Sequence, residues 1–136
     1  MNASGEAVAA LCKNNGIDPK DACVVFDEVA LALGTLRMRA RGSAGGHKGM
    51  ASILDTLGTT EIPRLRVGVR GERYSRQRDL ADYVLDAFGR EEQELFEQTV
   101  EKAAEALRVW LSRGIHAAMK RTNTKPSSPD PASDSD

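Results

Sequence analysis

TLRMRARGSAGGHKGMASILDTLG, residues 35–58, is the stretch on which the fold turns. Its first third alternates. Leu36, Met38 and Ala40 point one way and Arg37, Arg39 and Arg41 the other, the period-2 pattern of a half-buried strand with a basic outer face. Residues 42–49 form a glycine-rich loop. The last third places Met50, Ile53, Leu54 and Leu57 at i, i+3, i+4 and i+7, the spacing of an amphipathic helix, and Gly58 can end it. A strand passed through a glycine loop into a helix predicts an α/β fold.

Working outward, Leu65, Val67 and Val69 alternate with Arg64, Arg66 and Arg70, a further strand with a basic face. Upstream, Ala22 to Phe26 is a continuous apolar run suited to a strand buried on both faces, and it stops at Asp27-Glu28. Residues 5–15 read as a short helix capped by Ser4, with Val8, Leu11 and Cys12 on one face and Gly16 at its end. Asp18-Pro19 then makes a turn. Residues 80–88 read as a short helical turn under a loop. Residues 90–113 give the clearest helix, with Leu95, Phe96, Val100, Ala103, Leu107, Trp110 and Leu111 on one face and Gly114 after it. Ile115, Ala118 and Met119 suggest one more short helix to about Arg121. From Thr124 the chain is rich in Pro, Ser and Asp and reads as disordered. The organisation is one folded domain over 1–123 and a tail over 124–136.

Composition agrees with a single globular domain: 136 residues, 40% hydrophobic and 29% charged, with only 4% aromatic, so the core is aliphatic. No apolar run approaches the roughly 18 residues of a membrane span. Cys12 and Cys23 read as inert core thiols, and no metal site is expected. A cytoplasmic protein is the default. The net charge of −1 conceals segregation. Residues 35–78 hold ten basic residues against three acidic ones, a net +7, between acidic flanks. Such a block is a candidate phosphate-binding face; it is also what exposed strand arginines give when they keep an edge soluble.

Within this frame Asp27, His47 and Lys48 are candidates to carry chemistry, and His116 is not. Asp27 falls at the expected carboxyl end of a buried strand, where α/β sheets build their sites. A carboxylate there can orient a histidine, accept a proton or bind a cation, or simply start a turn. His47 follows two glycines and opens a helix whose first N–H groups are free for an anion, and Lys48 adds a cation beside it. His116, near the end of the last helix, reads as a surface residue.

Four stretches together resemble bacterial peptidyl-tRNA hydrolase: Met-Asn-Ala-Ser-Gly-Glu-Ala-Val at 1–8, Phe-Asp-Glu-Val at 26–29, Gly-Ser-Ala-Gly-Gly-His-Lys-Gly at 42–49 and Pro-Arg-Leu-Arg-Val-Gly-Val at 63–69. Residues 79–85 and 118–123 fit as well, so the likeness is collinear over the folded part. The resemblance implies a three-layer αβα sandwich with a mixed central sheet. It also implies cleavage of the ester that joins a peptide to the tRNA 3′ ribose, recycling tRNA from stalled translation. The expected agent is a monomer without cofactor, metal or obligate protein partner, and peptidyl-tRNA is its substrate. In the family a histidine acts as general base on water, an aspartate orients it and asparagines grip the substrate. Asp27 matches the aspartate, Asn2 a substrate-gripping asparagine and His47 the loop histidine. Lys48, Arg37, Arg39 and Arg41 fit a surface that tracks RNA phosphates.

The sequence also departs from the family pattern. Lys48 stands where the loop usually has asparagine, and a lysine cannot accept a hydrogen bond as an amide does. The usual second aspartate after Asp27-Glu28 is missing. The family opens with a strand, a Gly-Asn-Pro-Gly-like loop and the catalytic histidine, whereas this sequence starts after them. The expectation is therefore an N-terminally truncated or late-started polypeptide lacking the first strands and helix. Neither His47 nor His116 occupies the general-base motif. The alternative expectation is a non-catalytic RNA-binding relative of the same fold.

Overall fold

A computed structural model describes residues 3–71 and 90–123. Asn2, the helical turn expected at 80–88 and the tail expected from 124 lie outside the described residues. The elements are α1 (Ala3–Asn15), a 3₁₀ turn (Pro19–Asp21), β1 (Val24–Ala32), β2 (Leu36–Arg39), α2 (Lys48–Leu57), β3 (Arg64–Arg70), α3 (Arg90–Arg113) and α4 (Ile115–Thr122). No helix among them is long and apolar enough to cross a membrane. The fold class is α/β, as expected, and the described residues form four helices and a three-stranded sheet ordered β1-β3-β2. The sheet is mixed. Val24 N–H bonds to Pro63 O and Leu33 N–H to Arg70 O, so β1 and β3 run parallel; Gly68 N–H bonds to Thr35 O, and β2 runs against β3.

The chain forms two compact units. The first comprises Met1–Val24 and Arg39–Arg64, the second Val25–Met38 and Leu65–Asp136. In the first, α1 packs on α2. α2 begins and ends where its sequence requires: His47 is its N-cap, and Gly58 closes it in the left-handed conformation (φ 68°, ψ 25°) with its N–H on Leu54 O. Met50 and Ile53 are buried as their spacing predicts. Each contributes about 1.5–3 kcal/mol through removal from water. Gly5 lets the two helices approach closely. Its N–H donates to Ser52 Oγ at 3.1 Å, and a Cβ at this position would meet the Ser52 carbonyl and Thr56 Oγ1. The helix starts two residues earlier than expected, so Ser4 lies inside α1 rather than capping it.

The core of the second unit includes Leu36 and Met38 of β2, Leu65, Val67 and Val69 of β3, Thr99, Ala103 and Ala106 of α3, and Ala118 and Thr122 of α4. Three expectations need correction here. First, β1 does not stop at Asp27-Glu28 but runs on to Ala32. Pairing with β3 carries it through the two acids, and an edge strand can hold carboxylates because one flank stays open to water. For the same reason no residue of β1 is fully buried, and Val25 is 46% exposed. Second, β2 is short and its basic residues are not an outer face: Arg37 is 8% exposed. Third, α3 buries a stripe of small residues, Thr99, Ala103 and Ala106, and leaves Val100 46% and Leu111 76% exposed. Small side chains allow close helix approach. The one polar member is satisfied within its own helix, because Thr99 Oγ1 donates to Leu95 O at 2.7 Å.

Candidate functional site

The glycine-rich loop lies wholly in the first unit and is held from both ends. Gly45 and Gly46 are consecutive residues with positive φ (59° and 86°), a reversal that side chains would resist. It delivers the backbone to His47, whose own conformation is extended (φ −79°, ψ 117°). His47 Nδ1 accepts the Met50 N–H at 3.1 Å, and its carbonyl accepts the Ala51 N–H at 2.9 Å. The histidine therefore performs the role usually given to Ser, Asp or Asn at a helix start. Lys48, the first helical residue, is exposed.

Arg64 fixes the loop's base. Its Nε donates to Ile62 O at 3.0 Å, Nη1 to Ser43 O at 2.6 Å and Nη2 to Thr60 O at 3.2 Å. Gly42 N–H adds a bond to Thr60 O at 3.1 Å. Arg64 is 2% exposed, so this guanidinium binds its own backbone. The Arg39 and Arg64 guanidinium groups both flank Gly42. Arg39 is half-buried, whereas the Arg41 side chain is 72% exposed and pairs with Glu61 at 3.7 Å. Arg39, Arg41, His47 and Lys48 thus belong to one continuous segment of this unit. A cleft of about 710 Å³ adjoins it, lined in part by Ser43, Ala44, Asp55 and Thr60. Burial pushes the Cys23 thiol up to about 11, against the pull of the Arg64 charge.

The second unit holds the other expected residues. Asp27 is half-buried in mid-strand, the fourth residue of β1, rather than at a strand end. Alternation turns its neighbour Glu28 to the opposite face, where it meets Arg66 at 3.9 Å; these side chains are 15% and 22% exposed. Arg37 Nη1 donates to Leu36 O at 2.9 Å, which explains how a guanidinium is tolerated in a buried position. His116 is exposed on α4, as expected. Among the described residues, no group of three or more His, Cys, Asp or Glu could hold a metal ion.

Two residues organise the fold in ways that periodicity does not show. Arg64 was counted among strand-surface arginines; the only hint of its true role is its position at the start of a strand that follows Ile62-Pro63. Asn123 lies just past α4, beyond any periodic signal, yet its amide bonds both backbone groups of Met38.

Known proteins give a consistent picture. The model of the family described as peptidyl-tRNA hydrolase matches residues 1–130. The chain is 48% identical over 124 residues to the peptidyl-tRNA hydrolase of Chloroflexus aggregans, covering 90% of this chain and 65% of the relative. It is 45% identical over 130 residues to that of a Roseiflexus species, covering 95% and 59%. A crystal structure of peptidyl-tRNA hydrolase from Acinetobacter baumannii superposes with a TM-score of 0.78 at 26% identity, covering 94% of this chain and 64% of the other. The chain spans about 65% of the length of several of these relatives.

Proposed function

The chain belongs to the peptidyl-tRNA hydrolase family, and from that premise we propose that it binds peptidyl-tRNA and serves hydrolysis of the ester between peptide and tRNA. In that reaction (EC 3.1.1.29) the oxygen of water bonds to the ester carbonyl carbon. The bond from that carbon to the ribose oxygen breaks, and the ribose oxygen takes a proton. The outcome returns tRNA to translation. The observation that carries the reading is the loop from Gly42 to His47, which with the start of α2 puts His47 and the exposed Lys48 in one continuous segment with Arg39 and Arg41. Cations on a rigid loop suit a phosphate-bearing ligand.

The proposed roles follow from each residue's chemistry. Arg39, Arg41 and Lys48 neutralise phosphates, and His47 and Asn2 contact the substrate end. Arg37 holds its own strand instead. Asp27 is a positioning residue: a half-buried carboxylate on a strand can fix the tautomer and direction of a histidine that takes the proton of water. No cofactor is called for. The protein works as a monomer in the cytoplasm, where its substrate is made.

Binding of N-acetyl-aminoacyl-tRNA, together with release of the acyl group, tests the reading. Affinity is expected to fall steeply with salt; affinity unchanged between low and high salt would overturn the basic loop as the contact surface. In a longer polypeptide that supplies the general-base histidine, Asp27→Ala is expected to lower kcat far more than affinity, whereas equal loss of both marks a structural aspartate.

A further inference from the structure

The cleft beside the glycine-rich loop holds one acid that the fold does not use. Asp55 lines it from α2 and is exposed, and its carboxylate has no hydrogen bond or ion pair with any other described residue. It stands in the last turn of the helix, a turn without a basic residue. A carboxylate there lies at the negative end of the helix dipole, so helix stability does not account for it. The rest of the lining is of two kinds. Ala44, Ala51 and Leu54 give a half-buried apolar wall, and Ser43 and Thr60 bring exposed hydroxyls. The two strands of backbone that carry those hydroxyls are tied together beneath the cleft, because the buried Arg64 donates to Ser43 O at 2.6 Å and to Thr60 O at 3.2 Å.

The field around Asp55 limits what it takes. The segment from Arg39 to Arg64 carries four basic residues against two acids, and the other acid, Glu61, is paired with Arg41. Such a segment repels a free cation and attracts an anion. A ligand for Asp55 must therefore be an anion that also offers N–H donors, which is the chemistry of a nucleotide. An ionised carboxylate accepts through two oxygens side by side. Among the four RNA bases, guanine alone sets two N–H donors side by side on its Watson–Crick edge, N1–H and N2–H. Adenine, cytosine and uracil each put an acceptor next to the donor.

We propose that this cleft is a guanine site. Asp55 accepts both N–H groups, the apolar wall covers one face of the base, and the hydroxyls of Ser43 and Thr60 supply donors for its oxygen and ring nitrogen. The phosphate meets the basic residues of the same segment. The base belongs either to a free nucleotide or to an unpaired position of an RNA strand. Recognition here goes beyond ester hydrolysis and does not depend on it.

Amide NMR of the chain titrated with GMP, IMP, AMP and CMP tests the proposal. GMP should shift the Ala51, Asp55 and Gly58 amides. IMP, which lacks the N2 amino group, and AMP and CMP, which turn a lone pair towards the carboxylate, should bind at least about fivefold more weakly. Asp55→Asn exchanges one acceptor oxygen for a donor at an exposed position. It should keep the melting temperature and lower GMP affinity at least about fivefold. Equal affinity for the four nucleotides, GMP affinity unchanged in Asp55→Asn, or shifts confined to amides outside the cleft overturns the guanine site. An oligouridine bearing one guanosine separates the two sources of the base. Binding tighter than that of GMP assigns an RNA strand and binding no tighter a free nucleotide; either supports the site when Asp55→Asn weakens it.

Discussion

Asn123 grips Met38 by both of its backbone groups. Its Oδ1 accepts the Met38 N–H and its Nδ2 donates to the Met38 carbonyl, each at 2.9 Å. Thr122 Oγ1 donates to the same Oδ1 at 2.8 Å, which fixes which way round the amide lies. One side chain thus pairs with β2 as another strand would, at a residue whose side chain is fully buried. Asn123→Ala leaves a backbone donor and acceptor without partners and is expected to destabilise the fold by about 2–4 kcal/mol. Asn123→Asp, which keeps the acceptor alone, should fall between. Urea denaturation measures both; a loss under about 0.5 kcal/mol for Asn123→Ala would mean that other groups replace the clasp.

Arginines of the basic block differ in kind. Arg41 is exposed, and its surface pair with Glu61 is readily exchanged for a phosphate. Arg64 binds three carbonyls with its three nitrogens. Arg41→Gln should reduce the slope of log affinity for tRNA against log salt by about 0.7–0.9 without changing the melting temperature. Arg64→Met should leave that slope unchanged and lower stability by about 2–4 kcal/mol. Equal effects on the slope would make Arg64 a phosphate contact.

Gly5→Ala puts two effects in opposition. Alanine favours the helix over glycine by about 1 kcal/mol. The added methyl would press on the Ser52 carbonyl, backbone that gives way only if α1 and α2 separate. The contact should win, with a net loss of about 1–3 kcal/mol. Ser52→Ala, which removes the bond from Gly5 N–H, should cost at least about 0.5–1.5 kcal/mol. A neutral or stabilising Gly5→Ala would show that the helices spread freely.

Cys23 makes stability depend on alkaline pH. Burial raises its thiol from 9.0 to about 11 in the folded chain, and the Arg64 charge offsets part of that rise. The folded state therefore holds the proton more tightly than the unfolded state. This contribution is complete below pH 9 and is lost as pH rises towards 11. Denaturation midpoints should fall across that window, and Cys23→Ala should flatten the fall. Iodoacetamide at pH 8 should scarcely label native Cys23, since the thiolate is the nucleophile.

Local signals in the sequence were strong where one element had one requirement. The 3.6-residue spacing and Gly58 defined α2, and alternation defined β3. Asp27 was read as a strand end because two acids normally interrupt an apolar run; hydrogen bonding to β3 carries β1 past them, and no local pattern encodes that pairing. The face of α3 was assigned by its large apolar residues, but packing selected the small ones at Thr99, Ala103 and Ala106. Alternation put Arg37 and Arg64 outside, whereas backbone carbonyls supplied them with partners inside. The candidate loop was legible from composition, although it ends at His47 and not at Gly49, because α2 begins at Lys48. His47 as helix cap was not, since histidine is an uncommon choice there.

The division between the two compact units runs through the strands: the chain passes from one to the other after Val24, after Met38 and after Arg64. Each unit is therefore assembled from two separated pieces of sequence, and no single cut releases either whole. A deletion series would find no internal boundary at which to stop. The loop that carries His47 is thus not a portable cassette. Recombination that moves it must bring along the strands on both sides.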